Sequence, residues 1–207
     1  MSMSVAQFIR LVATCFFLAF SSCVTFYVDT DSSPAIPKSE WKKIGPFDLS
    51  ASLVSAPISS PNQVKVMEVT GSQIGDLISQ QTYTWVYCIR GCDGLDWKPA
   101  IHAAKSAGDS LGDGLRFVPV FMEYYPETIQ NILFEAGVLT PGYILNKDYY
   151  TAAPNYKHAR LVYELCPECD PFSAQPMHFL FNQQGNLLFA ARNDTFQLNS
   201  LLRVMRQ

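Results

Sequence analysis

A chain of 207 residues has room for one globular domain with appendages and a sizeable core, and not for two large domains. Its 15 Lys and Arg against 18 Asp and Glu give a net charge of -3 with no extended basic cluster, which argues against nucleic acid as a partner. At 48% hydrophobic and 13% aromatic residues the composition excludes a largely disordered chain.

The N-terminus reads as an address. Residues 1–10 are mildly polar with one positive charge, Arg10, and Leu11 to Phe20 is an apolar run closed by Ser21, Ser22 and Cys23. This is the layout of a bacterial secretory signal. The run F-S-S-C resembles a lipobox, with Phe20 in place of the usual aliphatic residue, which makes Cys23 the lipidation point and residues 1–23 the leader. A second reading extends the apolar stretch to Val28, about 18 residues, as an uncleaved membrane anchor. Either way the rest of the chain is expected outside the cytoplasm and tethered to a membrane, in the bacterial periplasm or at the outer membrane. Residues 24–63 hold Pro34, Pro37, Pro46, Pro57 and Pro61 among many serines, and are expected to be a tether on which Trp41, Ile44, Phe47, Leu49 and Leu53 could dock.

Beyond the tether, Val64–Thr70 alternates as a half-buried strand, and Ser72–Gln81 is a short helix candidate. Thr82–Cys88, rich in aromatic and β-branched residues, is the next strand. Helical spacing follows over Asp96–Ala107, then a strand over Leu115–Glu123, in which Pro119 is out of keeping. Pro126 opens a helix over Glu127–Ala136 with Gly137 as its stop. Residues 138–173 read as loop. Met177–Asn182 and Leu187–Arg192 flank the turn Gln183–Asn186 as a hairpin, and Thr195–Met205 reads as an amphipathic helix. The order predicts an α/β fold with a mixed central sheet, helices on both faces and a long insertion before the terminal hairpin and helix.

Three features then stand in a telling order: W-V-Y-C-I-R-G-C at a strand-to-helix junction, Pro99 in the following helix, and A-Q-P-M-H-F-L-F-N-Q-Q-G before the terminal hairpin. In this the chain resembles the thioredoxin-like superfamily over about residues 64–207. The resemblance implies that Pro176 takes the place of the cis-proline facing the redox cysteines. It implies thiol-disulfide exchange with Cys92 as attacking thiol and Cys88 as resolving thiol. A thiolate needs a lowered pKa, which a helix N-terminus supplies, and Cys92 stands just ahead of the helix beginning near Asp96. The motif departs from the usual pattern in having three residues between its cysteines. A Cys88 still on the strand would instead be a small apolar core residue.

The same C-x-x-x-C is similar to the arrangement in Sco-type copper chaperones, which implies Cys88, Cys92 and His178 as copper ligands, although Met177 precedes His178 where that family has an aspartate. Cys166 and Cys169 form a second cysteine pair, a true C-x-x-C lying in the long connection. Three readings stand for it: a local disulfide, a redox pair exchanging with Cys92, or half of a zinc site with Cys88 and Cys92. His102, His158 and His178 supply no nucleophile-base pair, no phosphate-binding loop is present, and no cofactor is expected. Tyr143, Tyr149, Tyr150, Tyr156 and Tyr163 either line a groove or pack the loop on the core. Two function classes follow: an exchange enzyme acting on cysteine-containing client proteins, or a non-catalytic module binding envelope proteins.

Overall fold

The computed structural model describes residues 37–53, 58–89, 97–122, 125–150, 154–169 and 177–206. All belong to the second of two units into which the chain divides, Ile36–Gln207. The strands are β1 (Val66–Val69), β2 (Tyr83–Ile89), β3 (Leu115–Phe121), β4 (Gly142–Leu145), β5 (His178–Asn182) and β6 (Leu187–Ala191). The helices are α1 (Lys38–Trp41), α2 (Leu49–Leu53), α3 (Gly71–Ile78), α4 (Trp97–Leu111), α5 (Pro126–Glu135), α6 (Pro154–Leu165) and α7 (Leu198–Val204). The sheet order is β1-β4-β3-β2-β5-β6, with β1, β4, β3 and β2 parallel and β5 and β6 antiparallel to their neighbours. This is a thioredoxin-like mixed α/β sheet, widened by one strand between β1 and β3.

Local chemistry sets the helix ends. Thr70 caps α3 in a capping box with Gln73, and Ile74, Leu77 and Ile78 bury its apolar stripe. Pro126 opens α5, and Gly137 with φ +67° ends it, its N–H donating to the Phe134 carbonyl and that of Val138 to Leu133. In the hairpin Asn182 Oδ1 accepts from the N–H groups of Gln184 and Asn186, and Gly185 takes φ +80°. Pro119 fits inside β3 because β3 meets β4 only at Val120 and Phe121, so the flank toward β4 needs no ladder donor at Pro119.

The long connection differs from its reading as loop. It holds β4, four residues buried on both faces and too short to show alternation, and α6. The signal for α6 was present: His158, Leu161, Val162 and Leu165 follow i, i+3, i+4, i+7 and are buried, while Tyr156, Arg160 and Tyr163 face outward. Exposed tyrosines on the solvent side hide this amphipathicity from a hydropathy reading. α6 is tied to α3 by Glu164, which accepts from the Tyr150 hydroxyl at 2.6 Å, and that hydroxyl accepts from the Gly71 N–H at 3.0 Å. Burial first, then the Glu164 carboxylate, holds the Tyr150 phenol far above its ordinary pKa. A side chain at Gly71 would strike Glu164.

Part of the Pro- and Ser-rich stretch lies on the domain. Trp41, Ile44, Phe47 and Leu49 pack against the core, and Gly45 pairs with the open edge of β1 through Gly45 N–H to Val66 O (2.9 Å) and Glu68 N–H to Gly45 O (3.0 Å). The Arg116 guanidinium donates to the carbonyls of Ser52 and Leu53 at the C-terminal end of α2, where its charge also suits the helix dipole.

At Gly142 α5 approaches the sheet closely: a Cβ there would run into Ile129 Cγ2 and lie 3.1 Å from Leu133 Cδ1. Gly142→Ala is expected to lower stability by about 1–3 kcal/mol in urea denaturation, because β4 or α5 must shift to admit one methyl group.

Candidate functional site

Side chains alternate along β2, so Trp85, Tyr87 and Ile89 share one face and Thr84, Val86 and Cys88 the other. The first face is a packed aromatic cluster. His178 stacks on Tyr87 at 4.2 Å between ring centroids and on Phe196 at 3.9 Å, while Trp85 stacks on Phe196 at 5.1 Å and meets Phe117 edge-on. The Trp85 indole N–H donates to His178 Nδ1 at 3.3 Å. An indole can only donate, so the imidazole proton sits on Nε2 and is given to Asn193 Oδ1 at 3.1 Å. Asn193 Oδ1 also accepts from the Tyr87 hydroxyl at 3.2 Å.

His178 is thus a fully buried, neutral hydrogen-bonding residue with both ring nitrogens engaged. Burial pushes its pKa down to about 4, against a smaller upward pull from Asn193. In this arrangement it has no lone pair to offer copper, which counts against the ligand set Cys88, Cys92 and His178. The cysteine of that set described here, Cys88, is buried at 0% exposure within the core.

What β2 does position is a junction. The Cys88 N–H donates to the Met177 carbonyl at 2.8 Å, and the Met177 N–H to the Ala191 carbonyl at 2.9 Å. Tyr87 lies opposite His178, so Cys88 stands opposite Met177, the residue after Pro176. β2 ends at Ile89, three residues before Cys92, and α4 begins at Trp97. Cys92, Pro176 and the proposed lipidation residue Cys23 lie outside the described residues.

Cys166 and Cys169 form a disulfide with a Cα separation of 5.3 Å. It follows the last turn of α6: the Cys166 N–H donates to the Val162 carbonyl, Pro167 stops the helix, and the Cys169 N–H donates to Cys166 O. Cys166 is fully buried, and Glu164 and Glu168 flank it in sequence. A helix C-terminus, neighbouring carboxylates and burial all disfavour a thiolate here. That is the electrostatic opposite of a nucleophilic cysteine site. The bond staples the end of α6 and the start of the segment leading to β5.

No protein-family model matches the chain, and no curated protein matches it in sequence. Among solved structures it is similar to a thiol:disulfide interchange protein, a thioredoxin family protein of Chlorobium tepidum TLS. That similarity stands at 13% identity and a TM-score of 0.44, covering 63% of this chain and 81% of that one. The thioredoxin-like fold follows from the strand order and connections themselves.

The buried imidazole makes stability depend on pH with a definite sign. The unfolded chain takes up a proton at His178 near the ordinary value of 6.5, whereas the folded one does so only near 4. Its contribution is therefore complete above pH 6.5 and is lost as pH falls toward 4, by up to roughly 1.4 kcal/mol per unit. His178→Phe should flatten this part of the stability profile measured by urea titration at successive pH values. Asn193→Ala, which removes the acceptor of both His178 and Tyr87, should cost about 1–3 kcal/mol.

Proposed function

We propose that this protein is a membrane-tethered, extracytoplasmic thioredoxin-like thiol-disulfide oxidoreductase acting on envelope proteins. The observation that carries the reading is the pairing of Cys88 with Met177. It sets Cys88, four residues before Cys92 in the sequence, beside Met177, the residue after Pro176. In the proposed reaction the Cys92 thiolate attacks one sulfur of a client disulfide, forming a mixed disulfide and releasing the client's other sulfur as a thiolate. The Cys88 thiolate then attacks Cys92 Sγ, closing a Cys88–Cys92 bond and freeing the client's second thiol. The client gains two electrons and the protein loses two. Pro176 shapes the groove that holds the client's backbone.

Cys88 lies in the core, so in this scheme it is reached from Cys92 and never by the client. The same burial favours a second reading, in which the fold is kept as a binding module of an envelope assembly and Cys88 serves only as packing. Cys92→Ser separates the two. Under the first reading it abolishes reduction of a disulfide client while the chain stays folded; under the second, binding persists and no exchange is lost. The lipid tether is tested by Cys23→Ser, which should release the protein from membranes into the soluble fraction.

A further inference from the structure

Three stretches of chain meet in one row at Cys88. The Cys88 N–H donates to the Met177 carbonyl at 2.8 Å, and the Met177 N–H to the Ala191 carbonyl at 2.9 Å, which links β2, the residue before β5 and the end of β6. Beside this backbone row, side chains make a second link. Tyr87, the residue before Cys88, and His178, the residue after Met177, both donate to Asn193 Oδ1, at 3.2 and 3.1 Å. A carbonyl oxygen has two lone pairs, so this one atom can serve one donor from each strand.

Asn193 itself belongs to neither strand. It lies two residues beyond Ala191, the last residue of β6, and opens the short turn Asn193–Thr195. That turn is braced at its surface. The Arg192 guanidinium makes two contacts of 3.1 Å with the Asp194 carboxylate, and the Thr195 N–H and hydroxyl both donate to the Arg192 carbonyl at 3.3 Å. Tyr87 and His178 are fully buried, whereas Asn193 is half-buried beyond the end of the edge strand. The stacked rings of His178, Phe196 and Trp85 supply apolar burial on this face. The Asn193 oxygen supplies direction, since a hydrogen bond fixes distance and angle where stacked rings tolerate sliding.

We propose that Asn193 is a positioning residue for the resolving thiol, its oxygen holding Tyr87 and His178 together and through them setting where Cys88 stands. The inference deepens the exchange reading of the β2–α4 junction and rests on it. Cys88 and Tyr87 point to opposite faces of β2, so Asn193 acts on the thiol only through the backbone of that strand. The first attack, of the Cys92 thiolate on a client disulfide, does not involve Cys88 and is left unchanged. The second attack, of the Cys88 thiolate on Cys92 Sγ, needs its sulfurs held in line and is the step Asn193 governs.

The test mixes the full chain, with Cys88 and Cys92 reduced, with oxidised glutathione, quenches in acid at intervals, alkylates and locates the products by mass spectrometry. The Cys92–glutathione mixed disulfide forms as one glutathione thiolate leaves, and the Cys88–Cys92 bond forms as the second leaves. In Asn193→Leu, which fills similar space without an acceptor, the mixed disulfide is expected to form at the wild-type rate and to resolve about tenfold more slowly or worse. Asn193→Asp, which keeps an acceptor oxygen, should return resolution toward the wild-type rate. Gly142→Ala, destabilised on the other side of β3, should resolve as the wild type does. If Asn193→Leu does not fold, Tyr87→Phe, which deletes one of the two donors, is expected to slow the same step. Resolution at the wild-type rate in the folded variant, or equal slowing in Gly142→Ala, overturns the positioning role and leaves exchange standing. Wild-type protein that forms no Cys88–Cys92 bond overturns the exchange reading, and the positioning role with it.

Discussion

The register between β2 and β5 is the constraint on which the rest of the molecule hangs. β2 lies inside the sheet, with β3 parallel on one side and β5 antiparallel on the other, and it is buried along almost its whole length. A slip of one residue would exchange Trp85, Tyr87 and Ile89 for Thr84, Val86 and Cys88 on each face. His178 prevents it: the ring fits between Tyr87 and Phe196 only when its nitrogens also meet Trp85 and Asn193. A buried polar network of this kind specifies one arrangement because any other leaves its groups unpaired. Once Tyr87 faces His178, Cys88 must face Met177, the residue that follows Pro176 in the sequence.

Under the proposed function the two cysteine pairs would occupy opposite electrostatic settings. Cys166 and Cys169 close the C-terminal end of α6, where a thiolate is disfavoured and the disulfide is the stable state. The proposed nucleophile precedes the N-terminal end of α4, where the helix dipole has the other sign. Under the proposed function the chain would carry an inert bridge and a reactive thiol together, separated by helix polarity in place of distance.

Legibility in the sequence followed the strength of periodicity. β2 was readable from its run of aromatic and β-branched residues, the hairpin from the turn residues Gln183–Asn186, and α3 from the helical spacing of Ile74, Leu77 and Ile78. β4 was not, since Gly142–Leu145 is buried on both sides and ends after four residues. α6 was hidden by Tyr156 and Tyr163, aromatic residues on its wet face. The docking of Trp41, Ile44, Phe47 and Leu49 beneath a Pro- and Ser-rich composition was legible only as scattered large residues, with Gly45 closing the β1 edge giving no signal at all. At the site, the position of Cys88 on a strand was readable from its neighbours. The structural role of His178 required its partners Trp85 and Asn193, 93 and 15 residues away along the chain.

Exchange at the β2–α4 junction is tested most directly by a redox titration in which thiols are alkylated at each potential and located by mass spectrometry. Cys88 and Cys92 should interconvert as a pair between about -100 and -270 mV, while Cys166 and Cys169 stay bridged to below about -300 mV. If Cys92 never pairs with Cys88, or if Cys166 and Cys169 are the pair that titrates in the upper range, exchange at the β2–α4 junction is contradicted.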